Sequence, residues 1–258
     1  MQITQRHLTT KLDQDKNMLN MCYKFRGIRT DCKAYEEVDL SRIEDILNGY
    51  LYCSDWRELN DVLEGKYYYI EPNGRDSNNS QRKLIFGERL QKQKEAYKVC
   101  SLTTALTNPL MWAFYASDNA GVAIEIKLPY PREYIVPVTY SETIPVLDLT
   151  LLENMDKSDV DGSWTKAIAR HILTHKTIAW EHEQEVRILI EGSKLRGHKY
   201  EIQKPTQLYY GPRMVESVYC RLQEICTLHN VKMTSIATVD EEQFGKYFDF
   251  QENKFVDS

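Results

Sequence analysis

Between Trp180 and Ile190 the chain reads Trp-Glu-His-Glu-Gln-Glu-Val-Arg-Ile-Leu-Ile, with carboxylates at 181, 183 and 185 running straight into an apolar, β-branched segment. In an extended backbone, side chains two apart leave from the same face. Glu181, Glu183 and Glu185 therefore crowd negative charge on one side of a strand entrance, provided the extended conformation starts that early. Like charges so close raise one another's pKa and cost stability unless a cation or a hydroxyl-rich surface stands opposite. Such a group suits acid–base chemistry or the stabilisation of an oxocarbenium ion. The plain alternative is a charged, solvated turn that leads into a core strand, and spacing alone favours it.

Other reactive side chains are sparser. His171 and His175 stand four apart in a segment that reads as helix, so both can face one metal, with His182 and Glu183 nearby. A zinc protease has its glutamate base next to the first histidine, and Ile172 occupies that place. Two ordinary helix histidines are the simpler account, and no metal is expected. Arg26 and Arg187 are the natural partners for Glu183 or Glu185, and a buried ion network of that kind explains the charges without catalysis. The glycine-rich nucleotide loops and the serine-hydrolase elbow are missing from the sequence.

The elements that must position these groups are short. Tyr23–Ile28 alternates as a strand does, and Ser41-Arg42-Ile43-Glu44 has the capping-box pattern ahead of a helical stripe that Gly49 stops. Tyr50–Cys53 reads as a strand, Glu71–Gln81 as a polar loop resembling a lid or a disordered insertion, and Ser80–Tyr97 as a charged helix. Val99–Leu102 is a strand, and Asn108-Pro109 opens a helix with Asn as cap and Pro in the first turn. Strands are expected at 122–126, 134–139, 186–190, 208–210 and 231–239, and helices at 163–178 and from Val215 onward. The irregular alternation predicts an α+β fold, with residues 1–20 as a polar arm and 21–258 as a single domain.

Composition bounds the rest. With 258 residues, 42% of them hydrophobic, the chain can build a sizeable core, and a net charge of -5 disfavours bulk electrostatic attachment to nucleic acid or anionic membrane. No apolar run approaches the roughly 18 residues of a membrane span, and the start lacks an apolar signal core. Six scattered cysteines without a Cys-x-x-Cys pair predict a reduced, cytoplasmic chain. Seventeen tyrosines, some adjacent, suit a half-buried binding groove, because a tyrosine ring packs while its hydroxyl finds a partner.

Several segments in order resemble the bacterial family known as domain of unknown function 2971. Tyr23-Lys24-Phe25-Arg26 stands for its opening basic strand, and Leu59-Asn60-Asp61 for a Phe-Asn-Asp-Pro segment, with Val62 where proline is usual. Cys100-Ser101 then matches a Cys-Phe-Ser strand. Met111-Trp112-Ala113-Phe114-Tyr115-Ala116 with Gly121-Val122-Ala123-Ile124-Glu125 matches a helix turning into a strand. Lys176, Trp180, Glu183, Glu185, Arg187 and the turn Gly211-Pro212-Arg213 complete the pattern, over about residues 22–239. The missing proline and phenylalanine mark a divergent member.

The order of parts is in turn similar to bacterial ADP-ribosyltransferases. That resemblance implies two small antiparallel sheets splayed about a cleft for NAD, flanked by helices. It implies Glu185 as the carboxylate beside the ribose, where oxocarbenium character develops, and Glu183 as the group that positions or deprotonates the acceptor. Tyr23, Arg26, Asn60, Ser101, Trp112 and Tyr115 become NAD-binding candidates, Arg26 because a planar fork suits pyrophosphate. An ADP-ribosyltransferase or NAD hydrolase of toxin or phage-defence type follows, acting on a nucleic acid or protein acceptor or on water, with an antitoxin or defence-system partner. A non-catalytic ligand-sensing or interaction module is the alternative, as is a metal-dependent nuclease using Asp61, Glu183 and Glu185.

Overall fold

A computed structural model describes residues 21–70, 78–128, 134–148, 162–191, 197–237, 246–249 and 254–257. The polar arm at 1–20 and the loop at 71–77 lie outside the described residues. In chain order the elements are β1 (Met21–Arg26), α1 (Lys33–Leu47), β2 (Tyr50–Asp55), β3 (Tyr68–Ile70), α2 (Asn78–Ala96), β4 (Tyr97–Thr103) and α3 (Pro109–Tyr115). They continue with β5 (Val122–Lys127), β6 (Ile135–Pro137), β7 (Thr139–Ser141), β8 (Val146–Asp148), α4 (Ser163–Ile172) and β9 (His175–Thr177). Then follow β10 (Glu185–Glu191), β11 (Gly197–Glu201), β12 (Gln207–Tyr210), α5 (Glu216–Leu228), β13 (Lys232–Ser235), β14 (Lys246–Asp249) and β15 (Lys254–Asp257). The class is α+β, and among the described residues no helix is long and apolar enough to cross a membrane.

The chain forms two compact units. The first takes its described residues from Tyr52–Ser101 and Tyr130–Tyr200, the second from Met21–Leu51, Leu102–Pro129 and Glu201–Ser258. In the first, β4 pairs with β2 and β10, β10 pairs antiparallel with β6, and parallel two-stranded pairs join β3 to β8 and β7 to β9. Its core gathers Trp56, Phe86, Leu90, Val99, Ile172 and Leu189. In the second unit β1 lies beside β5 in antiparallel register, with Tyr23 opposite Glu125 and Arg26 opposite Val122. β12 adds to β5, and β13 runs parallel to β12. Phe25, Met111, Trp112 and Ala123 pack there under α3. Each large side chain among these, such as Leu90 or Phe25, stabilises its unit by about 1.5–3 kcal/mol when withdrawn from water.

Local chemistry accounts for most boundaries and corrects three expectations. Asn108 caps α3 as predicted, its side chain accepting from Leu110 N. The capping box at Ser41 does not start a helix. α1 begins at Lys33, because Leu40, Ile43, Ile46 and Leu47 share one buried stripe with Asp39, which Arg29 holds through Nε at 2.7 Å. α4 stops at Ile172 and not near 178: the Thr174 hydroxyl turns back onto the Arg170 carbonyl at 2.9 Å, and the chain continues as β9. The last predicted strand is shorter, Lys232–Ser235, with 238 and 239 outside the described residues.

Candidate functional site

The acidic doublet lies within the first unit, assembled differently from the pleat expected of it. Extended backbone does not begin at Glu181. Ile178–Glu183 is a 3-10 turn, Gln184 takes a left-handed φ of 42°, and the strand starts at Glu185. Glu181 is exposed. Glu183 and Glu185 meet through a shared cation: Lys176 Nζ stands 2.5 Å from Glu183 Oε2 and 2.9 Å from Glu185 Oε2. β9 delivers Lys176 opposite Tyr140 of β7. The Tyr140 hydroxyl in turn accepts from the Glu185 backbone N at 2.8 Å. The Trp180 ring lies 5.2 Å from the same ammonium.

Arg187, two residues along β10, completes the cluster. Its Nε and Nη2 donate to the two oxygens of Glu185 at 2.8 and 3.0 Å, and its Nη1 and Nη2 to the two oxygens of Glu64 at 2.6 and 2.8 Å. Nη1 also donates to the Leu173 carbonyl. Three carboxylates thus face two cations, and all five residues are at most 7% exposed. Burial pushes the Glu185 carboxyl up. Arg187 and Lys176, with a hydrogen bond from Ser101, outweigh it and hold Glu185 far below the usual carboxylate range. Burial drives Glu64 upward against the pull of Arg187. Burial and the Glu185 and Glu183 charges raise the Tyr140 phenol, so it stays protonated.

Glu64 was not singled out from the sequence, where it stands between Leu63 and Gly65 outside every motif named. Asn60-Asp61 sets it in place. The Asp61 side chain accepts from Leu63 N at 2.9 Å and the Asp61 carbonyl from Glu64 N at 3.0 Å, forming a turn that aims Glu64 inward. Asn60 itself is exposed. Of the sequence-derived candidates, Ser101, Glu183 and Glu185 are therefore brought together.

Tyr23, Arg26, Trp112 and Tyr115 belong to the second unit. Trp112 is core: 3% exposed, edge-on to Phe25 at 5.1 Å, its indole N–H given to the Leu106 carbonyl. Tyr115 and Tyr23 are half-buried around that core. Tyr23 meets Tyr209 edge to face at 6.1 Å, and the Tyr209 hydroxyl lies 3.5 Å from Glu125. Arg26 ends β1, half-buried. Asn119 and Gly121, after α3, interlock with Gly211-Pro212-Arg213: Gly211 N donates to the Gly121 carbonyl and Arg213 N to the Asn119 carbonyl, both at 3.0 Å.

His171 and His175 do not share a helix, since His175 belongs to β9, yet their rings remain 5.3 Å apart. Burial lowers both, His171 to about 4, so they are neutral at physiological pH. His175 Nε2 pairs with Ser141 Oγ at 2.6 Å. Among the described residues no group of three or more His, Cys, Asp or Glu is arranged to hold a metal ion. The six cysteines are free thiols.

Comparison of the chain with protein-family profiles, with curated proteins and with solved structures gives no match.

Proposed function

We propose that this chain is an ADP-ribosyltransferase-like enzyme that consumes NAD and transfers ADP-ribose to a macromolecular acceptor, of bacterial toxin or phage-defence type. The finer architecture of two antiparallel sheets splayed about an NAD cleft belongs to the same reading. What supports it, beyond the order of motifs, is one observation: Glu183 and Glu185, singled out for their spacing, and Ser101, implied by the resemblance, converge on one point in the first unit. A carboxylate held ionised is what a developing oxocarbenium ion needs. The C1′–N bond breaks and nicotinamide leaves with the electron pair. The acceptor then bonds to C1′, and its proton passes to Glu183. Glu185 steadies the positive ribose meanwhile, and Asn60, from the same unit, is a further NAD-holding candidate. A carboxylate can act only on what it touches, so turnover requires Lys176 to swing away from both.

The burial of the same cluster favours a second reading. The Glu185 oxygens are taken up by Arg187 and Lys176. A non-catalytic ligand-sensing or interaction module, with the ion cluster as its internal brace, accounts for that closure without chemistry.

Incubation with labelled NAD and cell extract, with and without EDTA, separates the two. EDTA-insensitive nicotinamide release and label transfer, lost in Glu185→Gln with an unchanged melting profile, support the enzyme. Binding of NAD without release supports the module. Nicotinamide release that survives in Glu185→Gln overturns the assigned role.

A further inference from the structure

The turn between α4 and β9 carries two imidazoles into one place. Thr174 makes that turn: its hydroxyl lies 2.9 Å from the Arg170 carbonyl and 3.2 Å from the His171 carbonyl, and its own carbonyl accepts from Thr139 N at 2.9 Å. His171 stands in the last turn of α4, and His175 opens β9. Their ring centres are 5.3 Å apart, with the planes tilted by 50°.

The hydrogen bonds around His175 fix which of its nitrogens is bare. Ser141 Oγ lies 2.6 Å from the Thr143 carbonyl and 2.6 Å from His175 Nε2. A carbonyl only accepts, so the hydroxyl proton goes to Thr143 and the ring must donate to Ser141 Oγ. His175 is therefore the Nε2–H tautomer, and its Nδ1 carries an open lone pair. Nδ1 is shielded from water and has no hydrogen-bond partner among the described residues, in a side chain whose residue is 8% exposed. An acceptor buried in that state costs stability until something fills it.

Both rings suit a metal ion better than a proton. Burial lowers both, and the neighbouring imidazole lowers His171 further, so both hold the neutral form that ligates metals. Among the described residues no lysine or arginine charge acts on either ring, so an arriving dication meets no resident cation. Two imidazoles on one tetrahedral zinc, with Zn–N bonds of about 2.0–2.1 Å, have ring centres about 5 Å apart, which is the separation found here. A ligating histidine gives its other N–H to a fixed acceptor, and Ser141 is that acceptor for His175. His171 is half-buried, which leaves solvent to complete the coordination.

We propose that His171 and His175, the latter through Nδ1, form a two-histidine site for a divalent metal ion of the zinc class, with water at the remaining positions. An ion there ties the end of α4 to β9. The site uses none of Glu64, Glu183, Glu185 and Arg187 and does not depend on the NAD-consuming reading.

Calorimetric titration of the metal-free full chain with zinc tests this, in a Cys32→Ser, Cys220→Ser background that removes the two exposed thiols. One zinc per chain should bind at least about tenfold more tightly than to the same chain carrying His171→Asn. Ser141→Ala should weaken zinc by about tenfold, because the ring loses the acceptor that fixes its tautomer. Magnesium, which prefers oxygen ligands, should not displace zinc. Nitrogen-15 spectra of the imidazoles need no histidine variant: His175 should show a bare Nδ1 without metal, and zinc should shift that nitrogen. Absence of zinc binding, equal affinity in His171→Asn, displacement by magnesium or an unmoved Nδ1 overturns the proposal. Equal affinity in Ser141→Ala overturns the orienting role of Ser141. Glu185→Gln should leave zinc affinity unchanged, and its loss there overturns the site's independence.

Discussion

Arg187 and Glu64, 123 residues apart in the chain, form a two-armed ion pair at 2.6 and 2.8 Å inside the first unit. The guanidinium is fully buried and reaches Glu185 and the Leu173 carbonyl as well, so one side chain ties β10 to the turn after β2 and to the end of α4. A planar fork makes these bonds at once, and an ammonium cannot.

Removing that fork strands Glu64 and Glu185 as buried charges. Arg187→Met is expected to lose about 3–5 kcal/mol in urea unfolding, the range for breaking a buried pair from one side. Arg187→Lys should recover only part of the loss. A loss below about 1 kcal/mol would show that the cluster is open to water in solution.

Asp55 sets an acid limit on stability. Burial raises its carboxyl, but hydrogen bonds from the Arg57 side chain and backbone, then from Lys98, prevail and bring it from 3.8 to about 2. Because the folded value is the lower one, its contribution is complete above pH 3.8 and disappears as pH falls through about 2. Arg57 is half exposed, so solvent screening reduces the effect to about 1–2 kcal/mol. Asp55→Asn should remove this acid dependence, measured as the urea midpoint between pH 5 and pH 2. An unchanged slope would sink the assignment.

Lys94 acts at the alkaline end with the opposite sign. Lys94 is 4% exposed, and its ammonium donates to the Gly65 carbonyl at 2.9 Å, 4.6 Å from the Trp56 ring. Burial and then Lys66 lower it from 10.5 to about 8, against Glu95. The folded chain therefore resists the charged form, and stability should rise between pH 8 and pH 10.5 by up to about 3 kcal/mol. Lys94→Met should flatten that rise. Equal pH slopes for the two proteins would refute it.

Two glycines should respond to alanine with opposite signs. At Gly121 a Cβ would collide with the Arg26 carbonyl oxygen and the Ala116 backbone, so Gly121→Ala should cost about 1–3 kcal/mol. At Gly87 the same change should gain about 0.5–1 kcal/mol. Thermal melts of the two variants check both at once, and a shared sign would contradict the packing described.

Much of the local structure was readable from short-range chemistry. The Asn108-Pro109 cap, the β-branched run after Glu185 and the stop at Gly49 each act over a few residues and appear where expected, and the strand read at Tyr23–Ile28 lies two residues earlier, at Met21–Arg26. Signals that depend on competition were misleading. Ser41 looked like a cap but lies within a helix whose buried stripe includes Asp39, and the Ser163 helix ends early because Thr174 turns back on it.

The sequence alone determined the α+β class and the acidic doublet before Val186 as the point of concentrated charge. Which groups neutralise that charge was decided by tertiary structure. Glu64 arrives from a turn far upstream and Lys176 from a strand the periodicity had read as helix. The approach of Tyr67 and Tyr69 to Gly87 of α2 was equally invisible, since those tyrosines reach that helix only through the fold. Propensity and capping act within a turn or two, whereas the cost of burying a charge is set by whatever the fold brings beside it.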